Sequence, residues 1–477
     1  MPSSCHHKKY QYNVGQGAKS FGNCRQAHPV RTDSASRSAS CLQRLSPGAR
    51  PSRDADFALV PAAAGQLAEV MAEVDDLSVD APAPGRSPRG GWPAVAAVAA
   101  GTFTVVTSEM LPVGLLTPIS GSLEVSEGTA GLTLTVTGLV GAFSAPLITA
   151  AVGRIDRRVV LCSLMVLVGA ANVLVAWSPH FAVMMVARVL VGIGMGGVWA
   201  LAGGLAVRLV AARSIGPATS MIFSGIAVAS VGGVPAGAYI GELAGWREAF
   251  YAVGGLALLV AAAMAVLLPP LPAQEVVALG GVLRLFGNSR VATGLAVVAL
   301  LVTGHFAPYT YVRPVLEEVS GVGASMIGML LLVYGLAGVT GNFAVGARLD
   351  RSVRGTLLLI SGTLAASVLL VPLLGLSVAG AAILLVMWGL AYGGVSVSTQ
   401  TWLALAAPGT REGVTSLFVG MFNGAIALGA FAGGRVADGL GTRSVLWLGG
   451  ALAVGALLMT SLGHAPSPRG SGTEAAD

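Results

Sequence analysis

One acid in this sequence stands where acids are costly. The stretch Thr102–Pro118, TFTVVTSEMLPVGLLTP, lies inside an apolar run from Ala94 to Ile119 and carries Glu109 near its middle. A run that long can cross the hydrocarbon core, which takes about 20 residues. An acid inside such a span faces a polar cavity or a partner and marks an ion or proton path. The alternative is a carboxylate reaching along its helix to the outer interface. Arg188 and His305 lie in two further apolar runs. At about 1.5 Å per residue, Glu109 and Arg188 fall at similar depth, on the order of 10–12 Å below the outer surface. Burial disfavours a charged carboxylate and a nearby guanidinium favours it, so changing exposure would load and release a proton. His305 titrates near neutrality in water, which suits it to proton work, to substrate binding or to a simple hydrogen bond. Glu109, Arg188 and His305 are therefore the proton-coupling candidates. Arg188 has the plainer alternative of a structural tie to helix-end carbonyls.

A cavity between helices takes aromatic and amide side chains. The candidates in the apolar runs are Trp199, Tyr309, Tyr334, Asn342, Tyr392, Gln400, Trp402 and Asn423, each of which could equally serve packing or interfacial anchoring.

The elements that hold these residues follow from composition. Of 477 residues, 54% are hydrophobic and 10% charged, with a mean hydropathy of +0.76. So few charges cannot cover a soluble domain of this size. The apolar runs exceed the roughly 10 residues of a barrel strand, which predicts a helical bundle in lipid. The spans read as 94–119, 130–151, 159–177, 181–206, 216–240, 248–269, 291–314, 325–346, 355–375, 379–403, 413–436 and 444–463. The fold class is all-α membrane protein, twelve transmembrane helices.

Residues 1–91 are polar, rich in Ser, Arg, Pro and Ala, and read as a disordered extension. Cys5, His6, His7, Cys24 and His28 match no standard metal module. The remaining divisions are a six-helix bundle over 92–270, a linker over 271–290, a second bundle over 291–464 and a tail over 465–477. Arg86, Arg89, Arg154, Arg157, Arg158, Arg208, Arg213, Arg284, Arg290, Arg348, Arg351, Arg354 and Arg411 fall in alternate loops. The other loops carry Glu124, Glu127, Glu242, Glu317 and Glu318. By the positive-inside rule both termini are expected in the cytoplasm. The net charge of +6 therefore reads as topology, not as a nucleic-acid surface. With no His/Glu metal pair, nucleophile elbow or phosphate loop, the sequence predicts no enzyme, no cofactor and no metal.

The two halves repeat. Thr107, Glu109, Pro112 and Pro118 recur as Thr303, His305, Pro308 and Pro314, an offset of 303 − 107 = 196. Gly237, Glu242, Gly245 and Arg247 recur at the same offset as Gly433, Asp438, Gly441 and Arg443. Arg154-Ile155-Asp156-Arg157 answers Arg348-Leu349-Asp350-Arg351, and Gly196-Gly197-Val198 answers Gly393-Gly394-Val395. Two six-helix pseudo-repeats of the same orientation are a transporter architecture, with a site between the halves near the midplane and access alternating by rocking.

These residues resemble the major facilitator superfamily, over about Trp92–His464, and more narrowly the bacterial proton-coupled drug and sugar efflux branch. The family's Gly-x-x-x-Asp-Arg loop signature is matched by Gly346, Asp350, Arg351 and Arg354; the first copy keeps Asp156, Arg157 and Arg158 but has Val152 in place of the Gly. Arg188-Val-Leu-Val-Gly192-Ile-Gly194 resembles the family's Arg-x-x-x-Gly-x-Gly motif, linked there to proton transfer. Gly233-Val-Pro235-Ala-Gly237 is similar to part of the antiporter motif. The Arg-Asp-Arg loops are expected to lock the halves together on the cytoplasmic side by charge pairing and by capping helix ends, with plain positive-inside topology as the alternative. The resemblance implies that Glu109 and Arg188 sit on neighbouring helices and that the protein is a monomer. It implies a secondary active transporter in the bacterial inner membrane, a proton-coupled antiporter exporting a small drug or sugar-like compound. A proton-coupled importer or facilitator of the same fold is the near alternative, and a transport-inactive membrane sensor the distant one. The partners expected are substrate, protons and the lipid bilayer.

Overall fold

The computed structural model describes residues 91–151, 155–202, 204–272, 287–349, 351–407 and 411–463. The extension over 1–90, most of the linker, the tail and Asp350 lie outside these residues. So do Cys5, His6, His7, Cys24, His28, Arg86, Arg89, Val152, Arg154 and Arg284.

Among the described residues twelve helices are long and apolar enough to cross a membrane. In chain order they are α1 (Trp92–Leu123), α2 (Glu127–Ala151), α3 (Arg157–Trp177), α4 (Phe181–Ala202), α5 (Ala212–Leu243), α6 (Trp246–Leu267), α7 (Ser289–Tyr309), α8 (Ala324–Leu349), α9 (Val353–Leu374), α10 (Val378–Ala406), α11 (Arg411–Leu440) and α12 (Ser444–Leu462). The sequence places their ends within a few residues, with one exception at α7. Its expected span to residue 314 stops at Tyr309, and a short turn at Val312–Pro314 and a π-helical turn at Val315–Val319 follow. Pro308 and Pro314 withhold two N–H groups there, so a continuous helix cannot close its bonds.

Each half packs by the same scheme. In the first, α1 lies against α5 and α6, α2 against α4, and α3 against α4 and α6; in the second, α7 lies against α11 and α12, α8 against α10, and α9 against α10 and α12. The halves meet along α2–α11 and α5–α8, which are the same pair under the repeat. The chain is thus two six-helix pseudo-repeats.

Glycine makes the close crossings. A Cβ on Gly192 or Gly196 of α4 would meet the carbonyl oxygens of Thr137 and Gly141 on α2, at 2.8 and 2.5 Å. The same atom on Gly389 or Gly393 of α10 would meet those of Tyr334 and Gly338 on α8 at closer range still. All four positions repeat at 197 (393 − 196, 338 − 141), so the repeat preserves a backbone-to-backbone contact and not merely a residue type. Small residues let helices approach this closely, and in lipid such packing, not hydrophobic exclusion, holds helices together. Helix α5 does the same on α1, where Gly233, Gly237 and Gly241 stack over Thr107, Leu111 and Leu115.

Because the atom facing Gly393 is backbone, it cannot swing aside. Gly393→Ala is expected to destabilise the purified protein by about 1–3 kcal/mol, read as a lower Tm. Gly362→Ala, in α9 with open space around it, is the control expected to leave Tm unchanged or raised.

Candidate functional site

Helix α1 contains Pro112 and Pro118. A proline inside a helix has no N–H for the carbonyl four residues earlier, so Ser108 O and Gly114 O each lose their helical donor. In lipid that loss must be made good by protein. An arginine answers each one.

Arg188 of α4 is fully buried and donates from Nη1 to Ser108 O at 2.9 Å, from Nη2 to Glu109 O at 3.0 Å and from Nε to Thr133 O of α2 at 3.1 Å. It therefore ties three helices of one half together through their backbones. Ser108 itself exchanges hydrogen bonds with Asn172 of α3, at 2.8 and 3.0 Å. Arg188 and the Glu109 carboxylate act on each other electrostatically but form no ion pair. The face-to-face pair drawn from the sequence is thus a contact with the Glu109 backbone, because Pro112 leaves a stronger claim on the guanidinium.

The Glu109 side chain is 5% exposed, and its Oε1 has no hydrogen-bond partner. The hydroxyls of Thr107, two residues earlier, and of Tyr392 on α10 are also buried and unpartnered. Glu109 and Tyr392 interact electrostatically across the two halves. A charge on Glu109 is expensive in this state, and its free oxygen and the Tyr392 hydroxyl are an acceptor and a donor available to an incoming group, whereas the Thr107 hydroxyl faces Gly233 of α5.

On the other half, His305 of α7 occupies the repeat position of Glu109. It stacks on Tyr392 at 3.4 Å between ring centres and on Tyr309 at 4.7 Å; Tyr309 in turn lies 4.9 Å from Tyr334 of α8. Phe306 and Trp388 close the cluster edge-on, and Trp388 Nε1 donates to His305 Nδ1.

The remaining sequence candidates are placed as follows. Trp199 is half-buried and stacks on Phe223 of α5. Trp402 is fully buried against Gly294 of α7, its indole N–H on Arg290 O, a packing position away from the aromatic cluster. Gln400 is exposed and Asn342 half-buried. Asn423 donates to Val419 O of its own helix, where α11 passes Gly138 of α2. Gly233 and Gly237 belong to the α5–α1 ridge; Pro235 opens the helical segment that follows a π-helical turn at Ala229–Gly233, and its carbonyl lies toward Gly328 of α8.

At the arginine-rich end, Asp156 caps α3, accepting from Arg158 N at 2.8 Å and from Leu271 N at 3.0 Å. Arg157 N donates to Leu271 O. Arg158 reaches Ala265 O at the end of α6, and Arg354 reaches Ser461 O at the end of α12, both pairs related by the repeat. Cations at helix C-termini are favourable for the dipole as well as the carbonyl. Arg208 donates to Pro272 O and is held below its ordinary pKa chiefly by burial, with Arg157 adding and Asp156 opposing. Arg351 N bonds to Arg348 O, and Gly346 is exposed with open space beside it. The described bonds of these loop residues stay within their own half, where Asp156, Arg158 and Arg354 take up the helix-end part of the expected role; Asp350 lies outside the described residues.

The described bonds that do cross between halves gather at the opposite, acidic end. Arg313, after α7, donates to Gly114 O at 2.8 Å and to Glu317 at 2.9 Å, and lies 3.9 Å from Glu242 of α5. Thr117 donates to Glu317 at 2.7 Å. Asp438 of α11 accepts from Ser126 and from Gly128 N at the start of α2. Sequence reasoning missed Arg313, Asn172 and Trp388 as individuals. Arg313 had a signal, since it is an arginine in an otherwise acidic loop; Asn172 and Trp388 lie in apolar runs with none.

A duplicated helical bundle with an unpartnered acid between its halves is the construction of a secondary transporter. The sequence profile of the Major Facilitator Superfamily matches residues 98–416, and the chain belongs to that family. It is therefore a multi-pass membrane protein of a transporter family. It is 34% identical over 377 residues to "Transcription regulatory protein OpdE" of Pseudomonas aeruginosa, covering 78% of this chain and 94% of the relative. It is 33% identical over 374 residues to "Purine ribonucleoside efflux pump NepI" of Escherichia coli, covering 78% and 93%. Among solved structures, a point mutant of the nucleoside transporter NupG superposes with a TM-score of 0.65 at 12% identity, over 77% of this chain and 98% of that one. A bacterial homologue of the lysosomal transporter Spinster, in an inward-facing and unoccupied conformation, gives 0.61 at 18% identity, over 79% and 96%.

If Arg188 exists to satisfy the carbonyl that Pro112 frees, restoring an N–H should reduce the need for it. Arg188→Gln is expected to lower stability by about 1–3 kcal/mol. Pro112→Ala in the same chain should recover part of that loss, a coupling on the order of 0.5–3 kcal/mol in a double-mutant cycle of Tm. Additive effects would show that Arg188 is held by something else.

Proposed function

We propose that this chain is a proton-coupled antiporter that exports a small planar organic compound of nucleoside type from the cytoplasm. The observation that carries the reading is Glu109: buried in the bilayer region, its Oε1 unpartnered, and facing an aromatic shelf on the other half. Glu109 is the proton carrier. In the state described it holds a proton, because a bare charge there is too costly; when cavity water or substrate reaches it, the charge becomes affordable and the proton leaves. Substrate and proton compete for one polar locus, which suffices to couple their flows. Arg188 fixes the helix backbone that carries Glu109, and Tyr309, Tyr334, Tyr392 and His305 offer flat faces on which a heterocycle can stack. Asn342, Asn423 and Trp199 border the route.

Export and nucleoside chemistry are supported by the efflux pump of E. coli, alike over nearly its whole length. The arginine-rich end is read as cytoplasmic by the positive-inside rule. With the acidic end bonded across the halves, the state described is then read as inward-facing; a monomer in the inner membrane is the expectation that goes with this reading. Opening the other way would release the acidic-end bonds and bring the loop arginines of the two halves together.

The test is flux in proteoliposomes. Under an imposed proton gradient, labelled purine nucleoside should move against the proton flow, and Glu109→Gln should reduce gradient-driven flux to that of protein-free vesicles while the variant still inserts and folds. Undiminished gradient-driven flux in Glu109→Gln would reject the proton assignment. Accumulation in the direction of proton flow would instead make the protein an importer. The P. aeruginosa relative is named as a regulator, and a transport-inactive sensor would give background flux for the unmodified chain as well.

A second expectation concerns the acidic end. Arg313→Gln leaves Gly114 O without its donor and breaks the bonds to Glu317, so the population open at that end should rise. Faster labelling of a cysteine placed at Thr117 (T117C) by a membrane-impermeant reagent would register it.

A further inference from the structure

His305 and Trp388 are each 1% exposed, and the indole Nε1–H of Trp388 donates to His305 Nδ1 at 2.9 Å. An indole nitrogen can donate and cannot accept. The imidazole nitrogen that receives it therefore carries its lone pair, and the proton of the neutral ring sits on Nε2. An imidazolium has N–H on both nitrogens, so charging this ring would set two donors head to head and break the bond. The ring cannot easily turn to escape: Tyr392 stacks on it at 3.4 Å and 13°, Tyr309 lies at 4.7 Å, and Phe306 and Trp388 close its edges.

The titratable groups facing the cluster are Tyr309 from α7, Tyr334 from α8, Tyr392 from α10 and Glu109 from α1, the last through its electrostatic contact with Tyr392. Among the described residues no cation bonds to the ring, and no bond forms at His305 Nε2. That N–H is free for a ligand. The repeat sharpens the contrast. Glu109 and His305 hold equivalent places, yet α4 supports the first with an arginine on the backbone, while α10 supports the second with an indole on the side chain.

We propose that Trp388 is a positioning residue that fixes His305 as a neutral Nε2–H donor, so that the second half recognises the substrate and the first half alone moves the proton. The group that fits this donor is a hydrogen-bond acceptor on a flat ring, such as a ring nitrogen or exocyclic carbonyl of a heterocycle lying on the tyrosine faces. This rests on the central site being the substrate site. Its first consequence, the state of the ring, does not.

The deciding measurement is nitrogen NMR of the full chain labelled with 15N-histidine, with His305→Gln used to assign the signals. The expected result is a bare Nδ1 and a protonated Nε2 that do not change between about pH 5 and 8. In Trp388→Phe, which keeps an aromatic ring and loses the N–H, His305 should titrate or change tautomer in that window. In the flux assay the same variant should add a second ionisation to the pH profile, removed by His305→Gln in that background. A proton on Nδ1 in the unmodified protein overturns the proposal, as does a His305 that titrates with Trp388 intact, or a Trp388→Phe spectrum identical to the parent. If Trp388→Phe does not fold, the spectrum of the unmodified chain decides alone. Failure of transport would leave the NMR result standing, and the converse holds equally.

Discussion

The structure depends on how helix α1 is allowed to contain two prolines inside a membrane. Each proline strips a hydrogen bond from a carbonyl, and hydrocarbon offers no replacement. The chain answers with guanidinium groups, which carry several donors in a fixed fork and can serve more than one carbonyl at once. Arg188 serves three oxygens on α1 and α2, and Arg313 serves one while holding a carboxylate. The same device recurs at the helix ends, where Arg158, Arg247, Arg354 and Arg443 each reach the terminal carbonyls of a neighbouring helix. Among the described residues arginine is chiefly a backbone ligand. Glu109 can then remain without an ion-pair partner, because the cation that might have taken it is already committed.

Duplication explains the scaffold, and its breakdown explains the site. Glycine contacts, helix-end arginines and the helix neighbours repeat between the halves. Departures concentrate at the centre, where Glu109 faces His305's half and Arg188 gives way to Leu385 in the second copy of the helix register. An acid that can gain and lose a charge is set against aromatic rings that stack at short range. Symmetric halves suit a rocking motion, and the departures from symmetry lie where a substrate site between the halves is expected.

Much of this was legible in the sequence. Span number, the repeat and the singular position of Glu109 follow from hydropathy and fixed offsets, which are local properties. Gly233, Gly237 and Gly241 stand four residues apart in the sequence, but that spacing does not say which helix they meet. What the sequence conceals is which backbone atom a side chain answers. Arg188 read either as a partner for Glu109 or as a tie to helix-end carbonyls, and which carbonyls it takes became visible only once Pro112, α1 and α2 were seen around it. Trp402 read as a cavity aromatic because composition cannot tell an indole packed on Gly294 from one facing a cavity. Trp388, inside an apolar run of α10, carries no pattern that separates it from core. The break after Tyr309 was foreshadowed by Pro308 and Pro314, but the apolar run continued across it and hid the turn.

The two proline-freed carbonyls differ in one respect that bears on motion. Ser108 O is satisfied by Arg188, which belongs to the same half, so rocking of the halves leaves that bond intact. Gly114 O is satisfied by Arg313, which belongs to the other half, so a rocking of the kind proposed would break it. A carbonyl held within the hydrocarbon region needs a protein donor, since lipid supplies none. The one nearer the acidic end can exchange a guanidinium for water as that end opens, and Arg313 keeps Glu317 as its partner in its own half. Opening therefore trades one hydrogen bond for another instead of leaving a buried acceptor bare, a substitution that costs far less than an unsatisfied group. A proline-freed carbonyl spanned by the opposite half is thus a contact that can hold one state firmly and still be released.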